Sequence, residues 1–412
     1  MRGEKMVVNE QFQEDVVQFA VDGIEMIGNN RTGSLIGLSA EGRQLVEDIR
    51  ESGSAEISQE TSVLYEALKR GHYFLDEAGE KRIESAYVHI TDNCNLHCVG
   101  CYSYVKERNK KKDLTYEQIC HELRELVQNG VKIIVISGGE PFLREDIDRI
   151  CKYAKGLGVI VQIITNGTMP HERYLKALPY IDAISVSVDG YREDIHFIRD
   201  KGIMPKVIET VKFLKCHKEA VNLIFTLHRK NAPYMQKYLE LAENLGTTFN
   251  FSMLTTSPDD KIFQDYILSD KELHMIEEFL RYNHARISDS AMEGESLSCK
   301  SRCGAGKLLV SVSADGTIYP CHMLHVEELK MGNVLEKHLH DIVFREDNPF
   351  LNLDIKKIQG CGECKYGNFC GGGCRARSYL ETGSIYSKCD ICGVSYTTLD
   401  KKFHQLKAAY GL

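Results

Sequence analysis

The feature that most constrains this chain is a regular alternation beginning at residue 86. Apolar runs of strand length occur at Ala86–Thr91, Val131–Ser137, Val159–Thr165, Asp182–Val188, Val221–Leu227 and Thr248–Leu254. Segments with apolar residues at helical spacing follow each in turn, near 115–128, 144–157, 171–178, 205–217, 233–245 and 269–281. A strand followed by a helix returns to its sheet as a parallel neighbour, so repetition of the unit implies a parallel sheet with its loops gathered at the carboxyl ends of the strands. Functional residues collect at that end. Six units are too few for a closed eight-stranded barrel. The reading is therefore an α/β protein built on a partial (β/α)6 barrel, with a flat doubly wound sheet as the competitor.

Both flanks differ from this core. Residues 10 to about 75 hold two short apolar stretches, Gly23–Ile27 and Ser34–Leu38, around the turn-prone Gly28–Gly33. Two helical patterns follow, one with Leu45, Val46 and Ile49 behind a Ser39 N-cap, the other with Val63, Leu64, Ala67 and Leu68. That is a small α+β module, and the charged Asp76–Glu84 reads as a linker. After about residue 295 the alternation stops, and glycine and cysteine dominate. The expected domains are 1–76, 85–290 and 295–412.

Composition matters chiefly through cysteine. Of 412 residues, 15 are cysteine, and nine of them fall after residue 295. The opening residues lack an apolar export segment, so a cytoplasmic protein is expected and disulfides are not. Short regular spacings in a reducing compartment point to metal. A region too poor in apolar residues for a large core is expected to be organised by that metal. The net charge of −8 disfavours wholesale binding of nucleic acid, and no apolar run reaches the length of a membrane span. The basic run Lys106–Lys112 has no interleaved aromatics and reads as a solvated loop.

Cys94, Cys98 and Cys101 form C-x3-C-x2-C directly after the first barrel strand. Chance would place this pattern in such a chain roughly 0.02 times. Three thiolates on one loop can hold three irons of a [4Fe–4S] cluster and leave the fourth open. The alternative is zinc, with His97 as a fourth ligand. Other polar motifs end the next strands: Ser137-Gly138-Gly139-Glu140-Pro141, Thr165-Asn166-Gly167 and Ser187-Val188-Asp189-Gly190.

This set resembles the radical S-adenosylmethionine (SAM) superfamily, whose fold is a partial TIM barrel. The resemblance implies that Gly138, Gly139, Glu140 and Pro141 lie against the SAM amino group. There the glycines permit close approach and the carboxylate pairs the ammonium. It also implies that Thr165, Asn166, Ser187 and Asp189 line the SAM pocket, with Ser187 at the ribose, and that Arg199 holds the SAM carboxylate. One position departs from the family: Gly100 stands where an aromatic residue usually precedes the third cysteine, and Tyr102 follows that cysteine instead.

The C-terminal cysteines carry a second resemblance. Cys361-x2-Cys364-x5-Cys370-x3-Cys374, preceded by Cys303-x12-Gly316-x4-Cys321 and followed by Cys389 and Cys392, is similar to the SPASM extension of radical SAM enzymes. A four-cysteine run of this kind would arise by chance roughly 0.0007 times per chain. The resemblance implies two auxiliary clusters, one held by Cys299, Cys303, Cys321 and Cys374. The other takes Cys361, Cys364 and Cys370 with Cys392 or Cys389. Three [4Fe–4S] clusters and SAM are then the expected cofactors. A zinc ribbon on the four-cysteine run is the competing reading. Cys120, Cys151 and Cys216 fall in helices and are expected in the core.

The N-terminal module, centred on GIEMIGNNRTGSLIGLSAEGRQLVEDIR, resembles the PqqD-like recognition element of ribosomal peptide biosynthesis, a winged-helix-like fold whose strand edge accepts a leader peptide. A DNA reader would carry a basic helix, whereas Ser39–Ser52 is net acidic. The resemblance as a whole implies a radical SAM maturase of a ribosomal precursor peptide. On this reading a 5′-deoxyadenosyl radical abstracts hydrogen and the substrate radical is then oxidised, most often to close a cysteine thioether. Rival readings are formylglycine generation, carbon–carbon crosslinking and a DNA-binding iron–sulfur sensor. The formylglycine enzymes place an Asp directly after the cysteine that matches Cys321, where this chain has His322. Implied partners are the precursor peptide with its leader and an electron donor such as flavodoxin or ferredoxin. His228 and His322 are the candidates for a general base.

Overall fold

The computed structural model describes residues 6–75, 83–103, 108–110, 112–255, 263–283, 297–300 and 302–410. The proposed linker and the basic run lie partly outside the described residues. The chain opens with β1 (Met6–Asn9), β2 (Val16–Val21), β3 (Ile24–Asn29), β4 (Leu35–Gly37), α1 (Ala40–Ser52), β5 (Ser54–Ile57) and α2 (Ser62–Arg70). Here β2-β3-β4 form an antiparallel sheet and β1 pairs with β5. Ser39 caps α1 by accepting from the Gly42 N–H, and Leu45, Val46 and Ile49 turn inward onto Ile27, Leu68 and Tyr73. Hairpin and helices were legible in the sequence. Strands β1, β2 and β5 were not, being short and mixed in polarity.

The middle of the chain alternates as its periodicity requires. It runs β6 (Ser85–His89), α3 (Tyr116–Gln128), β7 (Ile133–Ser137), α4 (Ile147–Gly156), β8 (Ile160–Thr165) and α5 (His171–Ala177). It continues with β9 (Ala183–Val188), α6 (Met204–His217), β10 (Val221–Leu227), α7 (Met235–Leu245), β11 (Thr248–Met253) and α8 (Asp270–Tyr282). Strands β6 to β11 pair in parallel, in chain order. Alternation within each strand decides between barrel and flat sheet. On β9, Ile184, Val186 and Val188 are buried in the main core, while Ser185 and Ser187 face a cavity of about 800 Å³. On β10, Leu223 and Phe225 are buried, and Asn222, Ile224 and Thr226 face the same cavity. A flat doubly wound sheet would bury both faces. This sheet buries one and curves its polar face around an open space.

The cysteine-rich region adds β12 (Leu309–Val312), β13 (Thr317–Tyr319), β14 (Gly332–Asn333), α9 (Leu339–Val343), α10 (Gly367–Cys370), α11 (Arg375–Thr382) and α12 (Cys392–Tyr410). β12 joins the barrel beside β6 in parallel, and β13 and β14 extend the sheet antiparallel. Arg377 on α11 donates to the Leu254 carbonyl at 3.1 Å and to Thr255 Oγ1 at 2.6 Å, and binds Asp390, tying this region to the end of β11. The N-terminal sheet packs on it too: Val21 and Met26 share a buried cluster with Tyr366, Phe369, Leu399 and Phe403. Cys120 and Cys151 are buried as expected, but Cys216 is exposed on α6, a correction to its core assignment. Among the described residues no helix is long and apolar enough to cross a membrane.

Candidate active site and cysteine clusters

The loop after β6 brings Cys94, Cys98 and Cys101 to the mouth of the cavity. Each sulfur has a donor from a different part of the fold: Asn166 Nδ2 to Cys94 at 4.0 Å, Arg199 Nη1 to Cys98 at 3.8 Å and Arg108 Nη2 to Cys101 at 3.2 Å. Burial pushes the Cys98 thiol up to about 11 against the opposing pull of Arg199. At Cys101 burial also raises it, but Arg108 and Ser103 outweigh that and lower it overall. Donors to sulfur are what a thiolate-held cluster requires. His97 is not placed for the zinc alternative: its ring is exposed, faces Asp200 at 3.5 Å and does not line the cavity.

Two residues that hold this loop escaped the sequence reading. Asn109 brackets Cys94, accepting its N–H at 2.9 Å and donating to its carbonyl at 3.0 Å. Asp113 accepts from Thr91 Oγ1 and Asn93 Nδ2. Within the basic run, Arg108 and Asn109 reach back to Cys101 and Cys94, a correction to the solvated-loop reading at those two residues, while Lys110 and Lys112 are exposed as it expects. The run of charge beside the cysteine motif was the available signal.

The glycine pair has a second role beside the one expected. A Cβ on Gly138 would lie 2.3 Å from the Thr91 carbonyl oxygen, and one on Gly139 would lie 2.1 Å from that of Asn93. Gly139 and Glu140 donate their N–H groups to those same carbonyls, both at 2.8 Å. The glycines are thus required by the backbone of the cysteine loop. Glu140 is also corrected. Its carboxylate, expected to pair an ammonium, is fully buried and accepts from Phe142 N (3.1 Å), Thr165 Oγ1 (2.8 Å) and Asn166 N (2.7 Å). It clamps the ends of β7 and β8, and burial pushes it up to about 7 despite those bonds.

Gly138, Gly139, Thr165, Asn166, Ser187 and Arg199 line the cavity; Glu140, Pro141 and Asp189 do not. Asp189 accepts from the N–H groups of Phe197, Ile198 and Arg199, so it shapes the loop that aims Arg199. The Arg199 Nε is buried without a hydrogen-bond partner, a cationic donor open to an anionic ligand. Leu254 and Phe263 occupy the space beside Gly100, where a Cβ would meet them at 2.8 and 3.3 Å, which explains the missing aromatic. Tyr102 instead shares a 2.8 Å hydrogen bond with Ser137 and meets the His322 ring edge-on at 5.5 Å.

The two candidate bases separate. His322 lines the cavity, stacked on Tyr87 with centroids 4.0 Å apart, and burial pushes it down to about 3. His228 is corrected: it is wholly buried between Phe197 and Tyr266, off the cavity, and burial pushes it down to about 4.

The remaining cysteines sort into two groups. Cys321 is raised by burial and then by the neighbouring Cys374 and Cys303 thiols. Cys361 has Cys392 and Cys364 as neighbours, and Cys370 has Cys392 and Cys361. Cys389 has Asp390 and Arg377 as its charged neighbours, whereas Cys392 neighbours Cys361, Cys364 and Cys370. Cys299 joins neither group and packs against β3 (below).

Residues 88–266 match the radical SAM superfamily, and residues 303–365 match the SPASM iron-sulfur cluster-binding domain. The chain is a radical SAM enzyme with a SPASM domain. Its cofactors are [4Fe–4S] clusters and SAM. The three donor-matched thiols, the open cavity and the unpartnered Arg199 Nε fit those groups. The radical SAM enzyme is 26% identical to an AdoMet-dependent heme synthase of Methanosarcina barkeri, over 74% of this chain and 94% of that one. It is 25% identical to the mycofactocin maturase MftC of Mycobacterium tuberculosis, over 71% and 78%. Among solved structures, anSMEcpe with bound AdoMet superposes with a TM-score of 0.65 at 19% identity, covering 78% of this chain and 97% of that one. Streptococcus suis SuiB bound to precursor peptide SuiA gives 0.60 at 16%, covering 93% and 99%.

Proposed function

We propose that this enzyme is a maturase of a ribosomally made precursor peptide, installing crosslinks of which a cysteine thioether is the favoured kind. The observation that carries the reading is the N-terminal sheet docked beside the Cys364/Cys370 thiols. It offers β2 and β4 as strand edges on a body that also opens the SAM cavity. An extended leader added to such an edge gains affinity from main-chain hydrogen bonds. Tethering then raises the core peptide at the cavity to the order of millimolar. The PqqD-like assignment of residues 1–76 belongs to this proposal, as do the boundaries 85–290 and 295–412.

When bound, the cluster and SAM supply a 5′-deoxyadenosyl radical. The chain's own residues do the rest. Cys94, Cys98 and Cys101 hold the cluster, Arg199 binds the SAM carboxylate, and Ser187, Thr165 and Asn166 face the SAM pocket. Cys303, Cys321 and Cys374 hold one auxiliary cluster, and Cys361, Cys364, Cys370 and Cys392 the other. His322 lines the cavity wall as a neutral imidazole, and the burial that keeps it neutral also makes it a weak base there.

Anaerobic co-expression with a cysteine-rich peptide from a neighbouring reading frame, followed by mass spectrometry, tests the reading. A loss of about 2 Da per crosslink supports it. Unchanged peptide together with 5′-deoxyadenosine formation on a porphyrin precursor would move the assignment to haem synthesis, the second reading that sequence identity favours.

A further inference from the structure

Cys299 stands four residues before Cys303 yet is held by residues 28–33 of the N-terminal module. It is 2% exposed, its N–H donates to the Gly33 carbonyl at 2.9 Å, and its Sγ donates to Asn30 Oδ1 at 3.2 Å. The N-terminal module makes room for it: a Cβ on Gly28 of β3 would lie 2.4 Å from the Cys299 sulfur. The flanking segment is fastened to the same module, with Arg302 and Lys307 both paired to Asp15. Burial alone raises the Cys299 thiol, whereas Cys321 also feels Cys303 and Cys374. Four residues of extended chain reach at most about 14 Å, so a released Cys299 is within range of the Cys303 group.

We propose that Cys299 is a latch residue of the N-terminal module. While the module is docked, the first auxiliary cluster is held by Cys303, Cys321 and Cys374 alone, with one iron open to an outside ligand. Once released, the Cys299 thiol would give up its proton to solvent and be available to that group as a fourth thiolate ligand. The module's docking thereby sets the coordination of the cluster. The idea rests on the auxiliary-cluster reading above, and its test separates the two.

The parent for the test is full-length protein carrying Cys94→Ala, Cys98→Ala and Cys101→Ala, reconstituted without oxygen so that only auxiliary clusters remain. Adding Cys299→Ala is expected to leave iron content and the reduced electron paramagnetic resonance signal unchanged. Adding Gly28→Ala, which fills the notch, is expected to change that signal in the reconstituted protein and, in the same variant before reconstitution, to speed alkylation of Cys299 by iodoacetamide about tenfold or more. Gly28→Ala with Cys299→Ala restores the parent signal. Asn30→Ala supplies a milder release should Gly28→Ala fold poorly. Lost iron or an altered signal on adding Cys299→Ala alone overturns the latch, as does an unchanged signal in both release variants. A parent that binds no iron overturns the cluster reading instead.

Discussion

The two cysteine regions are built in opposite ways. The SAM loop packs three thiols into eight residues and hangs them from strand ends whose geometry the barrel core already fixes. The SPASM region collects its thiols from Cys303 to Cys392, across short helices and turns. In the first, fold comes before ligand; in the second, ligand is part of the fold.

The sharpest test of that contrast is Cys94→Ala with Cys98→Ala and Cys101→Ala. The variant should lose about four irons and all 5′-deoxyadenosine formation. Its melting temperature should stay within about 2 °C of the parent, measured by circular dichroism. A large drop would break the contrast. Cys364→Ala with Cys392→Ala should also lose iron, but with a destabilisation of about 3 kcal/mol or more in denaturant titration, because the metal holds that region's core together.

Arginine sharpens the comparison further. Arg199→Ala should weaken SAM binding about tenfold to a hundredfold in isothermal titration, with Arg199→Lys recovering part of it. Arg377, whose bonds go to Leu254, Thr255 and Asp390, should affect stability and leave SAM affinity alone.

The smallest expected effect lies at the seam between the two regions. Glu122 on α3 is buried beside the β12–β13 turn, with Oε1 unpartnered, and burial followed by Asp315 pushes it from 4.5 up to about 8. The folded state therefore holds a proton that the unfolded state has released between those pH values. Stability should fall as pH rises from 4.5 to about 8. Glu122→Gln should flatten that slope and stabilise the protein at pH 8 by about 1–3 kcal/mol. An equal slope in both proteins would place the titration elsewhere.

The barrel was readable because each strand buries one face in the apolar core, and the period-two pattern records that directly. The cysteine motifs were readable because ligands must be close. Glu140 and Asp189 were located correctly at strand ends but given the wrong partner. A carboxylate there can face a ligand or the backbone, and nothing in a string of letters distinguishes the two. Arg108 and Asn109 looked like part of a solvated stretch because charge alone does not tell whether a loop folds back. The seclusion of Cys299 was equally invisible.

Sequence alone thus determined the order of elements, the strand ends that face the cavity and the cysteines available to metal. These follow from periodicity and short-range spacing, which are local. Tertiary structure decided which groups meet: Arg199 with Cys98, Glu140 with the β8 end, Cys299 with the N-terminal module. Such pairings depend on how distant segments pack, and packing is a property of the whole chain.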